Sequence, residues 1–376
     1  MTRTAQLLAE LIALPSVNPA FLPPRHPHAG EGRVAEYLAT LGARAGLDVE
    51  FQKVLPGRPN LLAGLRPAGK IRRTILLAPH LDTVNVAHDA QFIPAQRGGR
   101  LYGRGACDTK GSVAVMFAAL CELAETNSRP RETEIIFAGL ADEEHGQSGS
   151  RFLADKKFQA DLAIVGEPTR LMVATAHKGS VWLEVATRGK SAHGATPWFG
   201  ENAALKMARV VEALETGFAA QLRRRRHSLL GFGTVSVGTI HGGTQTNIVP
   251  DHCVIGVDRR TLPGESEMAT RREVAAFLRA RKLEAKVSPV KLKPCFPLET
   301  NAGRPLVRQF LRSAGQPRPV GLHYFCDAAV LARGGMPSVV FGPGDIAQAH
   351  TADEWIALSQ LERGKALLLR FLKSLP

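Results

Sequence analysis

Residues 74–84 read TILLAPHLDTV and residues 133–144 read TEIIFAGLADEE. Each is an apolar run of strand length that ends in histidine or acidic residues. Between them, GSVAVMFAALCELAET (111–126) has the apolar density of a packed helix, and DLAIVGEPT (161–169) is a further strand ending in an acid. Strand, helix and strand joined by short connections form the pattern of a parallel α/β sheet. Ligands of such sheets gather beyond the carboxyl ends of the strands, which is where these polar residues fall.

The pattern changes near residue 179. SVWLEVATRGKSAH (180–193) alternates as a half-buried antiparallel strand does, and ENAALKMARVVEALETG (201–217) predicts a helix closed by Gly217. TVSVGTIHGG (234–243) and HCVIGVDRRTL (252–262) are two more strands, and ESEMATRREVAAFLRARK (265–282) is a second helix. From about residue 295 the α/β style resumes, with a helix near 303–314, a strand in MPSVVFGPG (336–344) and a C-terminal helix in WIALSQLERGKALLLRFLKSL (355–375). The expected fold is therefore α/β, with a discontinuous domain over 1–178 and 294–376 whose sheet is mainly parallel. An α+β domain over 179–293, built on an antiparallel sheet, is inserted into it.

A chain of 376 residues, 44% hydrophobic and 22% charged, has the composition of an ordinary globular protein. That excludes a disordered chain, a collagen-like repeat and a coiled coil. No run of about 18 apolar residues predicts a membrane span. The N-terminal MTRTAQLLAELIALPSVNP carries Glu10 within its apolar run and reads as an amphipathic helix ended by Pro15, not as a signal peptide. The five cysteines (Cys107, Cys121, Cys253, Cys295 and Cys326) are widely spaced and form no C-x-x-C pair, so reduced thiols and a cytoplasmic address are expected.

Lysine and arginine number 48 against 34 acids, a net charge of +14 that attracts anions. The excess is uneven, since residues 179–293 hold 18 basic and 10 acidic side chains. The run Arg223–Arg226 has no interleaved aromatic and no nucleic-acid motif around it, and reads as a solvated surface turn. No nucleic-acid partner is expected.

The chemistry-bearing residues lie at strand ends. His80 and Asp82 form an H-x-D step, so both side chains leave the strand on one side. Asp108 sits in GRGACDTKG ahead of a helix, Glu143 and Glu144 are adjacent, Glu167 precedes a proline, and His350 lies ahead of the C-terminal helix. Singly, each has a plain reading: a satisfied polar histidine, a helix cap at Asp108, surface glutamates. Together they are five carboxylates and two imidazoles on one rim, which would repel or desolvate one another unless a cation sat among them. Mixed histidine and carboxylate ligands suit zinc, and also cobalt or manganese.

The motifs APHLDTV, GRGACDTKG, ADEEHGQSGS, VGEPT and FGPGDIAQAHTADEW are similar, in order and spacing, to those of the co-catalytic metallopeptidase family M20. That family includes acetylornithine deacetylase, succinyl-diaminopimelate desuccinylase, aminoacylases and glutamate carboxypeptidases. The resemblance covers nearly the whole chain. It implies two divalent metal ions bridged by Asp108, one completed by His80 and Glu167 and the other by Glu144 and His350. It further implies that Asp82 orients His80, that Glu143 is the general base, and that the Asp108–Thr109 peptide is cis.

The inserted domain resembles the family's lid or dimerisation domain. The resemblance makes His193 the histidine that reaches a partner subunit's site in a homodimer, and Asn247 and Arg260 the residues that bind a substrate carboxylate. A guanidinium suits that task through its bidentate fork. Arg259 alternates to the other strand face and reads as structural, as does His177 at the entry to the insert. In YFCDAAVL, Phe325 and Cys326 precede Asp327 where many deacetylases of the family carry a glycine–threonine pair, and Cys326 reads as a small packing residue. The implied activity is metal-dependent hydrolysis of an N-acyl amino acid or related small amide. A glutamate-type carboxypeptidase or dipeptidase is the alternative, and a non-catalytic binding protein a distant third. Glutamate at position 167 resembles the deacetylase and carboxypeptidase branches more than the aminopeptidase branch, and SVNP and VGEPT lean towards the acetylornithine deacetylase and succinyl-diaminopimelate desuccinylase group.

Overall fold

A computed structural model describes residues 1–290 and 293–376. The chain divides into two compact units, one made of Met1–Thr175, Thr300–Val320 and Cys326–Pro376, the other of Ala176–Glu299 and Gly321–Phe325.

The first unit is built on a mixed, mostly parallel sheet. In spatial order its strands are Asp48–Leu55, Arg58–Leu65, Thr133–Gly139, Arg73–Pro79, Leu162–Gly166 and Ser338–Val340, followed by Ala174 of the strand Ala174–His177. The four strands from Thr133–Gly139 to Ser338–Val340 run parallel, so their carboxyl ends share one edge. The hairpin at the start of the sheet and Ala174 at its other end are antiparallel.

Helix Lys110–Glu125 is apolar nearly all round because it is buried on every side. It packs on the sheet and between the helices Arg3–Ile12 and Leu358–Lys373. Helix Arg3–Ile12 starts at Thr2, whose hydroxyl accepts the Ala5 N–H, and it buries the stripe Leu7, Leu8, Leu11 and Ile12. It stops short of Pro15, whose ring disfavours helical geometry in the preceding residue. Near the C-terminus, Trp355–Ala357 is a short strand paired with Arg100–Tyr102, so the last helix begins at Leu358 and not at Trp355.

The second unit carries a four-stranded antiparallel sheet in the order Thr234–Gly242, His252–Thr261, Gly179–Arg188 and Lys286–Pro289. Val181, Leu183 and Val185 face inward, with Ile255 and Val257, onto Met207, Val210, Phe218, Val274 and Phe277 of the two covering helices. Trp182 and Glu184 point outward, which is the alternation read from the sequence.

Gly217 does not close its helix. The chain runs from the α-helix Ala203–Glu212 through a π-helical segment, Ala213–Phe218, into Ala219–Leu222. Phe218 and Leu222 continue the buried stripe beyond the glycine, and that burial outweighs the stop signal. Gly217 instead permits close approach: a Cβ there would lie 3.2 Å from the Phe277 ring.

Among the described residues, no helix is long and apolar enough to cross a membrane. All five cysteines are buried free thiols.

Candidate metal centre

The shared sheet edge gathers the first unit's polar residues. Pro79 pairs with Gly166 in parallel register, so His80 and Glu167 leave neighbouring strand ends. Leu140 bridges to His80, and the chain then turns through Glu143 and Glu144. Asp108 precedes the helix Lys110–Glu125, and the Asp108–Thr109 peptide is cis. Asp108 does not cap that helix: Thr109 holds the cap position and makes no side-chain capping bond. His350 lies in the loop beyond Ser338–Val340, in a left-handed conformation with φ 64°.

Asp108 stands at the centre. One carboxylate oxygen lies 3.1 Å from His80 Nε2, and the other lies 3.2 Å from His350 Nε2. Each imidazole has a second carboxylate: Glu167 Oε1 is 3.8 Å from His80 Nε2, and Glu144 Oε2 is 3.3 Å from His350 Nε2. Ligand atoms of His80, Asp108 and Glu144 all lie within 4.8 Å of one another. Glu143 stands outside these four ion pairs.

The electrostatics fit a cation. Burial drives the Glu143 and Glu167 carboxyls well above the usual range, with neighbouring carboxylates adding to the effect. Burial and the Asp108 charge push Glu144 up to about 7. Burial opposes charge on His80, yet Asp108, Asp82 and Glu167 raise its pKa well above the ordinary value. His350 is lifted to about 10, chiefly by its bonds to Asp108 and Glu144. One oxygen of Glu144 is buried without a hydrogen-bond partner among the described residues. Buried carboxylates that raise one another's pKa, with such an oxygen among them, form a donor set suited to divalent metal.

Buried groups fix the loops that carry these residues. Asp82 faces His80 Nδ1 at 3.4 Å, while its own backbone oxygen lies 3.0 Å from the same nitrogen. The Asp82 carboxylate also accepts the N–H groups of Glu143 and Glu144 and a 2.7 Å bond from Asn18. It therefore holds both sides of the centre.

Glu354 has the matching role for Asp108. Its carboxylate accepts the backbone N–H groups of Gly105, Cys107 and Asp108 at 2.8–2.9 Å, and Arg104 at 2.7 Å. Gly105, at φ 81°, makes the left-handed turn in that loop. Sequence reasoning passed over Glu354 and Asn18, although both lie inside quoted motifs, HTADEW and SVNP. It also passed over Ser150, which donates a 2.5 Å bond to the buried Asp327. No spacing signal marks residues that act on backbone N–H groups, as Glu354 does, or on other buried carboxylates, as Asn18 and Ser150 do.

The remaining expected site residues belong to the second unit. His193 and Asn247 are exposed on adjacent loops, joined by a 2.7 Å bond from Gly194 N–H to the Asn247 carbonyl. His193 Nδ1 accepts the Ala195 N–H. Arg260 is half-buried and donates to Asp258 at 2.9 Å, while Arg259 points inward and donates to both oxygens of Glu265. His177 is fully buried, its Nδ1 is 2.9 Å from the Lys178 carbonyl, and burial lowers its pKa to about 4. In the first unit, Cys326 is buried and burial raises its thiol pKa well above the ordinary value, in keeping with a packing role.

The family model for peptidases M20/M25/M40 matches residues 76–374. The chain belongs to this family. Its members hydrolyse amide or peptide bonds, so the chain is a hydrolase of that kind. Among its relatives, the acetylornithine deacetylase of Myxococcus xanthus is 34% identical over 349 residues, covering 87% of each chain. The M20 metallo-carboxypeptidase of Sulfolobus solfataricus superposes with a TM-score of 0.80 at 18% identity, over 99% of both chains. A dinuclear metal-binding M20 peptidase of Bacillus subtilis gives 0.71 at 12% identity, over 99% of this chain and 97% of that one. At such identities the two structures establish the M20 fold.

Proposed function

We propose that this M20 protein is a dinuclear metal-dependent amidohydrolase that removes the acyl group from a small N-acyl amino acid. The observation that carries the reading is the Asp108 carboxylate shared between two imidazoles, each backed by its own glutamate.

In this reading Asp108 holds both metals, His80 and Glu167 complete one site, and Glu144 and His350 complete the other. When bound, paired divalent cations polarise a substrate carbonyl and make water a nucleophile near neutral pH. Glu143 takes the proton of the attacking water on its carboxylate and delivers it to the leaving amine. Asp82 keeps the His80 ring in place through Nδ1, the service a carboxylate commonly renders to a ligating histidine. Arg260 and Asn247 bind the carboxylate of the substrate, and His193 donates to the oxyanion that forms at the carbonyl.

Zinc is the first choice of metal, since imidazole and carboxylate are its common ligands, with cobalt or manganese as substitutes. We assign the protein to a homodimer formed through the second unit. That unit exposes Trp198, Phe199, Leu205 and Ile240, large apolar side chains of the kind an interface covers. Five buried free thiols support a reducing, cytoplasmic address.

The test is deacylation of N-acetyl-ornithine, N-succinyl-diaminopimelate, N-acetyl-methionine and an acyl-glutamate. Each is assayed as purified, after chelation, and after zinc, cobalt or manganese is returned. Activity that vanishes with chelator and returns with metal is the expected result. Silence across the panel with two metals bound per chain would discard the substrate class.

A further inference from the structure

The turn that carries Glu143 and Glu144 is held by a chain of buried polar groups that begins on the neighbouring strand. Arg58 opens the strand Arg58–Leu65, which pairs with Thr133–Gly139. Its guanidinium grips Glu31 in a fork, Nε donating to Oε2 at 2.6 Å and Nη2 to Oε1 at 2.7 Å. Nη2 also donates to Asp142 Oδ1 at 3.1 Å. Glu31 is fully buried at the start of the helix Gly32–Arg44, yet its side chain does not cap that helix. Glu31 Oε1 instead accepts the Asp142 N–H at 2.8 Å.

These bonds meet at Asp142, the residue before Glu143. Its backbone is left-handed, with φ 68°, a conformation uncommon outside glycine. One carboxylate oxygen accepts Arg58 and the Asn18 amide, and the other accepts the Ser148 hydroxyl. The same Asn18 nitrogen donates to Asp82, which takes the N–H groups of Glu143 and Glu144. Three consecutive N–H groups, from Asp142 to Glu144, therefore end on the buried carboxylates of Glu31 and Asp82.

A buried ion pair is weak evidence for stability, because apolar side chains of similar volume can serve as well. A guanidinium fork contributes direction, fixing both oxygens of a carboxylate at once. We propose that Arg58 is a positioning residue for Glu143. Through Glu31 and Asp142 it sets the place from which the Glu143 carboxylate reaches the attacking water. Among the described residues, Arg58 bonds none of the five expected metal ligands. The proposal rests on the reading that Glu143 takes the water's proton.

The zinc-loaded full chain is compared with Arg58→Lys, which keeps the charge and loses the fork, and with Arg58→Ala, which loses both. Turnover is measured on whichever of the four acyl amino acids above the wild type cleaves fastest, beginning with N-acetyl-ornithine. A displacement of about 1 Å at a reacting group costs up to about 100-fold. The kcat should fall roughly 10-fold in Arg58→Lys and roughly 100-fold in Arg58→Ala. Zinc content should stay at the wild-type level and KM within about twofold. Ethylguanidinium should restore turnover to Arg58→Ala, and ethylammonium should not, since a cavity of about 610 Å³ borders Arg58 and admits the replacement.

A wild-type kcat beside a lowered melting temperature would make Arg58 structural alone and overturn the proposal. Zinc loss in step with kcat would overturn it too, by placing the effect on the metal ligands. Should Arg58→Ala fail to fold, Arg58→Lys decides by the same criteria. Hydrogen exchange separates this proposal from the hydrolase reading. The Asp142, Glu143 and Glu144 amides should exchange at least about tenfold faster in Arg58→Lys than in wild type. If the zinc-loaded wild type cleaves none of the four amides, the hydrolase reading fails. Faster exchange would then uphold the hold of Arg58 on the turn, and unchanged exchange would refute it.

Discussion

His80 and His193 both follow strands, yet their surroundings have little in common. His80 is 2% exposed, faces Asp82 through one ring nitrogen, and meets Asp108 and Glu167 through the other. His193 is exposed on a loop, and among the described residues its ring bonds only the neighbouring Ala195 N–H. The same contrast separates the two units. The first buries its carboxylates and ties them to backbone through Asp82 and Glu354. The second presents His193 and Asn247 on its surface and Arg260 half-buried. A metal centre needs ligands fixed to within fractions of an ångström, which demands that supporting shell. Groups proposed to meet a substrate can stay exposed until it arrives.

The largest effect that would sharpen this contrast comes from Glu143. Glu143→Ala should lower kcat by roughly 10²–10⁴-fold with both metals retained, as judged by elemental analysis beside steady-state kinetics. Metal loss from that variant would move Glu143 from base to ligand. His193→Ala should lower kcat by roughly 10²–10³-fold while leaving metal content and melting temperature unchanged. Unaltered turnover would take the second unit's loop out of the chemistry.

Glu354→Gln probes the buried shell. It removes one acceptor oxygen from the loop that presents Asp108, so zinc affinity should fall by roughly 10–100-fold in a competition titration against a chromogenic chelator. Wild-type affinity would show that the loop holds its shape without this carboxylate. Arg260→Ala should raise KM by about tenfold or more for substrates with a free carboxylate, and an unchanged KM would remove it from the binding site.

The smallest effect concerns His177, a second buried histidine without the carboxylates that surround His80. Its pKa is lowered to about 4 in the folded chain against an ordinary 6.5, so between these values the unfolded chain binds more protons. Its contribution to stability is complete above pH 6.5 and is lost as pH falls towards 4, on the order of 3 kcal/mol in all. Denaturant melts of His177→Gln should show a shallower loss of stability across that window. An identical pH profile would refute the assignment.

The clustered polar rim could be read from the sequence because its residues fall at strand ends or in the loops just beyond, where an apolar run stops at a charged side chain. His80, Glu144 and Glu167 are found by that rule alone. Asp108 and His350 lie in the loops just beyond and are found by the same crowding of carboxylates and imidazoles, while the likeness to a family supplied which of these residues would share a metal. Glu354 went unread because it serves backbone N–H groups, and Asn18 because it serves another carboxylate, and such bonds leave no trace in residue spacing. Gly217 was misread for a related reason: a glycine after a helical stretch is a stop signal only where nothing beyond it needs burial, and Phe218 and Leu222 do.

In the proposed function Asp108 joins two metal sites. The most direct measurement is zinc stoichiometry of the chelated, reloaded protein, compared among wild type, Asp108→Ala, Glu144→Ala and Glu167→Ala. Two zinc ions per chain are expected in wild type, none held tightly in Asp108→Ala, and one in each glutamate variant. An Asp108→Ala protein that still binds two would contradict that role.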